Sequence, residues 1–225
     1  YYTGQFYDIS SVAKIAKENN CVLGLDLAHA AGNVPLSLHD WGVDFSAWCG
    51  YKYLNGGPGA PSGAFIHEKH HNKDLNRLEG WWGHNKKSRF DPPKIFSPIK
   101  SAEAWQLSNP PILSMAALLS SIELFDQVGM SRLREKSTYL TLYLEQLIKS
   151  LDTDKIKIIT PSDKMSRGAQ LSLLIDSNES DIKDFFKKKN IICDFRKPNV
   201  IRAAPCPMYN SFMDIFNFVE AIKDI

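Results

Sequence analysis

Apolar and polar positions fall into short, regular blocks from the start of the chain. Ser10 or Ser11 can cap a helix in which Val12, Ile15 and Ala16 recur at helical spacing, with Asn19 and Asn20 closing it. Cys21 to Leu27 is a short, mostly apolar run with Asp26 near its end, which predicts a buried strand. Val43 to Cys49 predicts a second strand, with Val43, Phe45, Ala47 and Cys49 as its apolar face and Asp44, Ser46 and Trp48 opposite. A third strand, Ala64 to His67, follows Asn55 to Gly63, where four glycines and two prolines predict a turn-rich loop.

Residues 68–108 lose this regularity: His70-His71, Trp81-Trp82, Gly83 and Pro92-Pro93 predict extended connections, and long irregular stretches in compact domains are often functional. Helical periodicity returns at Ile112 to Val128 and at Arg132 to Ile148, where Leu133, Tyr139, Leu140, Tyr143, Leu144 and Leu147 make an apolar stripe. Strands are expected at Ile156 to Ile159, Ala169 to Ile175, Ile191 to Cys193 and Val200 to Ala203. Helices are expected at Glu179 to Lys189 and from Phe212 onward. Helices alternating with strands read as α/β. The organisation expected is residues 1–128 in a large domain and 129–225 in a smaller one.

Composition changes the picture mainly by exclusion. The chain has 225 residues, 44% of them apolar, and 27 basic against 25 acidic residues leave a net charge of +2. That balance gives no electrostatic case for a nucleic acid or an anionic membrane, so the expected partner is a small molecule. No apolar run approaches the roughly 18 residues that span a bilayer, and no leader opens the chain. Cys21, Cys49, Cys193 and Cys206 are scattered and lack any CxxC pair, as in a cytoplasmic protein with reduced, partly buried thiols. His39, His70 and His71 lack a third ligand at useful spacing and are read as surface residues, so no metal is expected. Residue 1 is Tyr, and Tyr1 to Gln5 reads as the interior of a longer sequence, so a fragment is expected.

The chemistry concentrates at two predicted strand ends. Asp26-Leu27-Ala28-His29 closes the first, Tyr51-Lys52-Tyr53 follows the second, and the Gly-rich loop comes next. In open α/β sheets ligands bind beyond the carboxyl ends of strands, where these groups would meet. Pyridoxal phosphate (PLP) chemistry asks for this set: a lysine to form the Schiff base and a carboxylate to pair with the pyridine nitrogen. Taken singly, Asp26 fits a helix cap equally well, and an isolated Lys52 fits a solvated surface charge better. The joint placement raises the odds.

Gly24-Leu25-Asp26-Leu27-Ala28-His29-Ala30, Leu38 to Asp44 and Tyr51-Lys52-Tyr53-Leu54-Asn55 resemble the kynureninase family in order and spacing. So do Gly80-Trp81-Trp82-Gly83-His84, Ser108-Asn109-Pro110-Pro111-Ile112 and Ile201-Arg202-Ala203-Ala204-Pro205, and the resemblance runs nearly end to end. It implies a fold type I PLP-dependent transferase-like architecture: part of a large, mostly parallel sheet domain, then a smaller C-terminal α/β domain. It further implies hydrolytic Cβ–Cγ cleavage of L-kynurenine, and of 3-hydroxykynurenine, by a homodimer in tryptophan catabolism and NAD biosynthesis.

By the same resemblance Lys52 carries the cofactor, Asp26 pairs with its ring nitrogen and His29 lies beside the ring. Tyr51 reaches the phosphate and relays a proton, and the Trp81 indole donates to the same phosphate. Trp81 and Asn109 arrive from the neighbouring subunit, with Asn109 facing both cofactor and substrate. Arg202 grips the substrate carboxylate, a task suited to its planar fork. His84 is read two ways: a contact to the aromatic end of the substrate, or a loop histidine bonded to backbone. Trp82 is read as structural.

The family's N-terminal half, with a phosphate-cradling helix N-terminus and a ring stacked on the cofactor, has no counterpart here, so the chain alone is expected to be inactive. The rival enzymatic reading is a cysteine desulfurase or class V aminotransferase. Those relatives place His before the lysine, where this chain has Tyr51, and Cys206 between Pro205 and Pro207 makes a poor nucleophile. The rival outside enzymology is an inactive truncated remnant.

Overall fold

The computed structural model describes residues 1–91 and 94–225, so the expectation placed on Pro92-Pro93 lies outside the described residues. The chain divides into two compact units: Asp8–Gly32 with Leu36–Leu124, and Tyr1–Tyr7 with Asn33–Pro35 and Phe125–Ile225.

The first unit opens with helix α1 (Ile9–Glu18). Its cap is Asp8, whose carboxylate accepts the Ser11 N–H at 3.1 Å, so neither Ser10 nor Ser11 is the cap. Both serines sit inside the first turn, and the Ser11 hydroxyl itself donates to Asp8. The buried face is correspondingly Ile9 and Ala13, whereas Val12 and Ile15 are exposed. Asn19 caps the other end, and Asn20 turns the chain at φ 54°.

Strands β1 (Gly24–Asp26) and β2 (Phe45–Trp48) pair in parallel, and β3 (Gly63–Ile66) returns antiparallel on β2. The alternation in β2 has the expected period but the opposite phase. Ser46 and Asp44 are buried while Phe45 is exposed, although Val43 is inside as expected. The buried side is covered by the chain that follows β3. There Asp44 Oδ1 takes both Lys69 Nζ and His70 Nε2 at 2.7 Å, and its Oδ2 takes the Leu23 N–H at 2.8 Å. His70 is thus a half-buried partner of Asp44, not a surface residue. Phe45 instead lays its ring over Gly24, where a Cβ would stand 2.2 Å from the ring.

Beyond β3 the described residues make only short 3-10 turns, at Glu68–His70, Trp81–Gly83 and Ala102–Trp105, before helix α2 (Ile112–Val128). Helix α2 is apolar nearly all round, yet Phe125 is its one buried residue. No single helix among the described residues is long and apolar enough to cross a membrane.

The second unit packs helices α3 (Met130–Lys149), α4 (Glu179–Lys188) and α5 (Phe212–Ile222) with an antiparallel sheet in the order β4-β5-β7-β6. The strands are β4 (Ile156–Ile158), β5 (Leu171–Ile175), β6 (Asp194–Arg196) and β7 (Val200–Ala203). Leu140 and Leu144 of α3 meet Leu171, Leu173 and Ile175 of β5 and Ile215, Val219 and Ile222 of α5 in one core. Fully burying such a side chain contributes roughly 1.5–3 kcal/mol. Tyr139, expected in the α3 stripe, is exposed. The strand expected at Ile191 to Cys193 starts instead at Asp194. Asn190 adopts φ 55° and the Ile191 N–H is still bonded to Phe186 O at 3.0 Å, so these residues complete the exit from α4. A capping box of Ser211 and Asp214 starts α5.

The architecture is α/β. The first sheet mixes one parallel and one antiparallel pairing, and the second is wholly antiparallel.

Candidate active site

Parallel pairing puts the carboxyl ends of β1 and β2 on the same sheet edge, with Asp26, the last residue of β1, opposite Ala47. The Asp26 carboxylate is oriented by the Ala28 N–H, which donates to Oδ1 at 2.8 Å. The chain then turns through Leu27 to Gly32, closed by the Ala30 and Ala31 N–H groups on Leu27 O.

The segment after β2 is held as a closed loop. Gly56 N–H bonds Gly50 O at 3.0 Å and Asn55 N–H bonds Lys52 O at 3.0 Å, with Asn55 in the left-handed region at φ 56°. Such a ring requires glycine where main chain passes main chain. A Cβ on Gly50 would stand 2.3 Å from Pro61 O, and one on Gly56 would stand 2.9 Å from Gly50 O. Helix α2 fastens the loop from outside, the Ser121 hydroxyl donating to Leu54 O at 2.7 Å. Lys52 lies within this ring, its Nζ 5.8 Å from the centre of the Tyr51 ring.

The two strand-end segments meet. Gly32 runs so close to Tyr53 that a Cβ there would stand 2.7 Å from Tyr53 O, and the His29 and Tyr53 rings are edge to face at 5.9 Å. Asp26, His29, Tyr51 and Lys52 therefore sit on two turns that touch. Tyr51 is half exposed, and the Cys49 thiol, hydrogen-bonded to it, holds its phenol above the ordinary range. In the sequence Cys49 reads as a strand residue and a scattered, reduced thiol, with no link to Tyr51. Its position two residues before Tyr51 was the available signal.

Trp81 and Asn109 belong to a second group in the same unit. Gly80 and Gly83 flank Trp81-Trp82 because their main chain presses on residues 104–107: a Cβ on Gly80 would stand 2.2 Å from Leu107 Cα, and one on Gly83 2.6 Å from Ala104 O. Trp81 is partly exposed and packs edge to face on Trp82 at 5.1 Å, while Arg89 stacks on Trp82 at 4.4 Å. Asn109 is exposed just beyond Leu107 and accepts the Ser108 hydroxyl at 3.1 Å. His84 is buried with both ring nitrogens engaged, the Ser97 N–H on Nδ1 at 3.1 Å and Ser88 Oγ 3.1 Å from Nε2. Nδ1 accepts, so Nε2 carries the proton.

Arg202 lies on β7 in the other unit. Its Nε bonds Asp194 Oδ2 at 2.5 Å and its Nη1 bonds Tyr1 O at 2.8 Å. Neither partner was foreseen. Asp194 faces Arg202 through the β6–β7 register, which the displaced start of β6 concealed. Among the described residues no cluster of three His, Cys, Asp or Glu side chains has the geometry of a metal site.

The deciding likeness covers nearly the whole chain. Kynureninase from Myxococcus xanthus is 54% identical over 99% of this chain and 53% of its own length. Kynureninases from Xanthomonas oryzae pv. oryzae and Flavobacterium psychrophilum are 48% and 45% identical over the same shares. Residues 133–222 match the family described as Kynureninase C-terminal domain. The chain is similar to kynureninases along nearly its whole length. It spans about half the length of the curated relatives it matches. Solved structures share the fold. A cysteine desulfurase from Thermococcus onnurineus superposes with TM-score 0.78 at 18% identity over 98% of this chain and 56% of its own. C-DES with glycine covalently linked to its PLP cofactor superposes with TM-score 0.81 at 18% identity over 100% of this chain and 58% of its own.

Proposed function

We propose that the protein to which this chain belongs uses PLP to hydrolyse the Cβ–Cγ bond of L-kynurenine, and of 3-hydroxykynurenine, releasing anthranilate or 3-hydroxyanthranilate and L-alanine. The observation that carries this reading is the packing of the Asp26 turn against the Lys52 loop through Gly32 and Tyr53, at one edge of a parallel strand pair. The residues fit the cofactor: a carboxylate fixed at a strand end and a lysine on a closed loop beside it. The family supports the substrate. Residues 1–128 are assigned to the cofactor-holding domain and 129–225 to the small domain. A homodimer is proposed, and four cysteines without a disulfide support a reducing, cytoplasmic setting.

Lys52 would hold PLP covalently, Asp26 would face its ring nitrogen, His29 would lie beside the ring, and the Tyr51 hydroxyl and Trp81 N–H would reach its phosphate. When bound, PLP supplies an electron sink for charge that develops at the substrate Cα. The Lys52 amine takes the Cα proton onto Nζ. Arg202, already aimed by Asp194, pairs its guanidinium with the substrate carboxylate, and Asn109 adds an amide from the neighbouring subunit. Water adds to the γ-carbonyl and becomes part of the aromatic acid. Tyr51, its phenol protonated at neutral pH, delivers a proton to Cβ as the alanyl carbon departs. His84 is assigned first to holding the Trp81 turn, since both its nitrogens are engaged, and its ring edge remains the proposed contact for the substrate's aromatic end. The 225 residues alone are proposed to bind PLP weakly and to be inactive.

The test uses the protein extended to the length of its relatives. Anthranilate release from L-kynurenine is followed by fluorescence, and borohydride followed by peptide mapping locates the cofactor. Trapping at Lys52 with stoichiometric alanine is expected. Trapping at another lysine, or no anthranilate, overturns the reading.

A further inference from the structure

In the second unit, a cleft of about 330 Å³ opens between α4, its exit loop and the strands β6 and β7. Its floor is core: Ile182, Phe186 and Ile201 are buried residues of the main hydrophobic cluster, and partly buried Phe195 adds an aromatic wall. Its volume falls at the lower end of clefts that take small molecules, roughly 300–1,000 Å³.

The polar part of the lining has one sign. Lys183 and Lys187 line the cleft, and among the described residues no carboxylate does. Lys183 is partly committed, bonded to Glu179 and standing 4.9 Å over the Phe195 ring. Lys187 makes no side-chain hydrogen bond or ion pair among the described residues, and it is an uncompensated cation beside an apolar floor. Asn190 joins it in the lining because its left-handed φ of 55° ends α4 there, adding an amide donor. At the same exit Ile192 is 99% exposed. Ile192 also lines the cleft and adds apolar surface at its rim.

We propose that this cleft binds a small amphipathic carboxylate, its apolar body on Ile182, Phe186, Phe195 and Ile201 and its charge on Lys187 with the Asn190 amide. The site is built within one unit and uses none of the residues assigned to PLP or kynurenine. It stands whether or not that assignment holds.

The test titrates the 225-residue chain with octanoate, reading backbone amide shifts, beside octanol and octylamine as bodies without the negative charge. Octanoate should bind saturably, with shifts centred on residues 182–195, and octanol and octylamine should bind more weakly. Lys187→Glu, an exposed change that leaves the core intact, should weaken octanoate at least about tenfold, the scale of one charge-assisted contact. Asn190→Gly keeps the left-handed turn and should weaken it severalfold. Equal affinity for octanol, shifts centred elsewhere, no saturation at millimolar octanoate, or unchanged affinity in Lys187→Glu would each overturn the proposal.

Discussion

His29 and Tyr53 stand edge to face with ring centroids 5.9 Å apart and planes at 71°. One residue lies three positions after Asp26 and the other directly after Lys52, so this contact couples the two turns to which the cofactor chemistry is assigned in the proposal. Gly32 makes the same junction through main chain. Gly42 shares its left-handed conformation, φ 75° against 80°, but a Cβ there would meet nothing within 4 Å. Gly42→Ala should therefore cost only the backbone strain, about 1–2 kcal/mol. Gly32→Ala should cost roughly 1–3 kcal/mol more from crowding and reduce borohydride-trapped cofactor at Lys52. Equal melting temperatures and equal trapping in the two variants would dissociate Gly32 from the site.

Tyr51 should act as a proton donor. A phenol ordinarily titrates near 10 and is protonated at neutral pH, and the hydrogen bond to Cys49 holds Tyr51 higher still. At saturating PLP and kynurenine, Tyr51→Phe should lower kcat by about 10²- to 10⁴-fold while the cofactor remains on Lys52. Cys49→Ala should move the alkaline limb of the kcat profile downward, because a phenol released from that contact ionises at lower pH. A Tyr51→Phe rate within about threefold of the parent, too small for acid–base catalysis, would leave Tyr51 a phosphate anchor.

Arg202 should separate substrate binding from cofactor binding. Arg202→Gln should leave PLP in place and raise KM by roughly 10- to 150-fold, the equivalent of about 1.5–3 kcal/mol for a charge-assisted contact to a carboxylate. Asp194→Asn, which removes the charge aiming the Arg202 Nε, should raise KM less. An unchanged KM in Arg202→Gln would show that the guanidinium serves only Asp194 and the Tyr1 carbonyl.

Acid stability should depend on Asp44. Burial pulls its carboxyl upward, but Lys69, the Leu23 N–H and His70 outweigh that and bring it down to about 2. A depressed carboxylate contributes stability that is fully present above its unfolded value, about 3.9, and is lost as pH falls toward 2. Asp44→Asn should therefore cost on the order of 2 kcal/mol at pH 7, and the gap to the parent should close between pH 4 and 2 in urea titrations. A gap that stays constant with pH would assign the loss to packing instead.

The sequence made some boundaries plain and hid others for physical reasons. Helix α2 runs from Ile112 to Val128 and β7 from Val200 to Ala203 as expected, because mostly apolar segments that start directly after Pro111 and Asn199 leave few other registers. The period of β2 was legible and its phase was not. Periodicity reveals that two faces differ, and what covers each is decided by distant chain, here Lys69 and His70 closing over Asp44. The α1 cap was misplaced because three neighbours, Asp8, Ser10 and Ser11, can all cap. Of the site, the residue types and order around Asp26 and Lys52 were readable, since chemistry limits which side chains can serve. The Cys49 contact to Tyr51 and the Asp194 hold on Arg202 were not, because both depend on side-chain direction and strand register.

The ring of main chain around Lys52 is closed by the Gly56 and Asn55 amides on the Gly50 and Lys52 carbonyls, and none of those bonds uses the lysine side chain. The amine proposed to hold the cofactor is thus a replaceable fitting on a closed loop. Exchanging Lys52 for alanine removes a nucleophile and leaves the contour that received it. A chemically silent receptor of unaltered shape is what is needed to capture a substrate in place and watch it without consuming it.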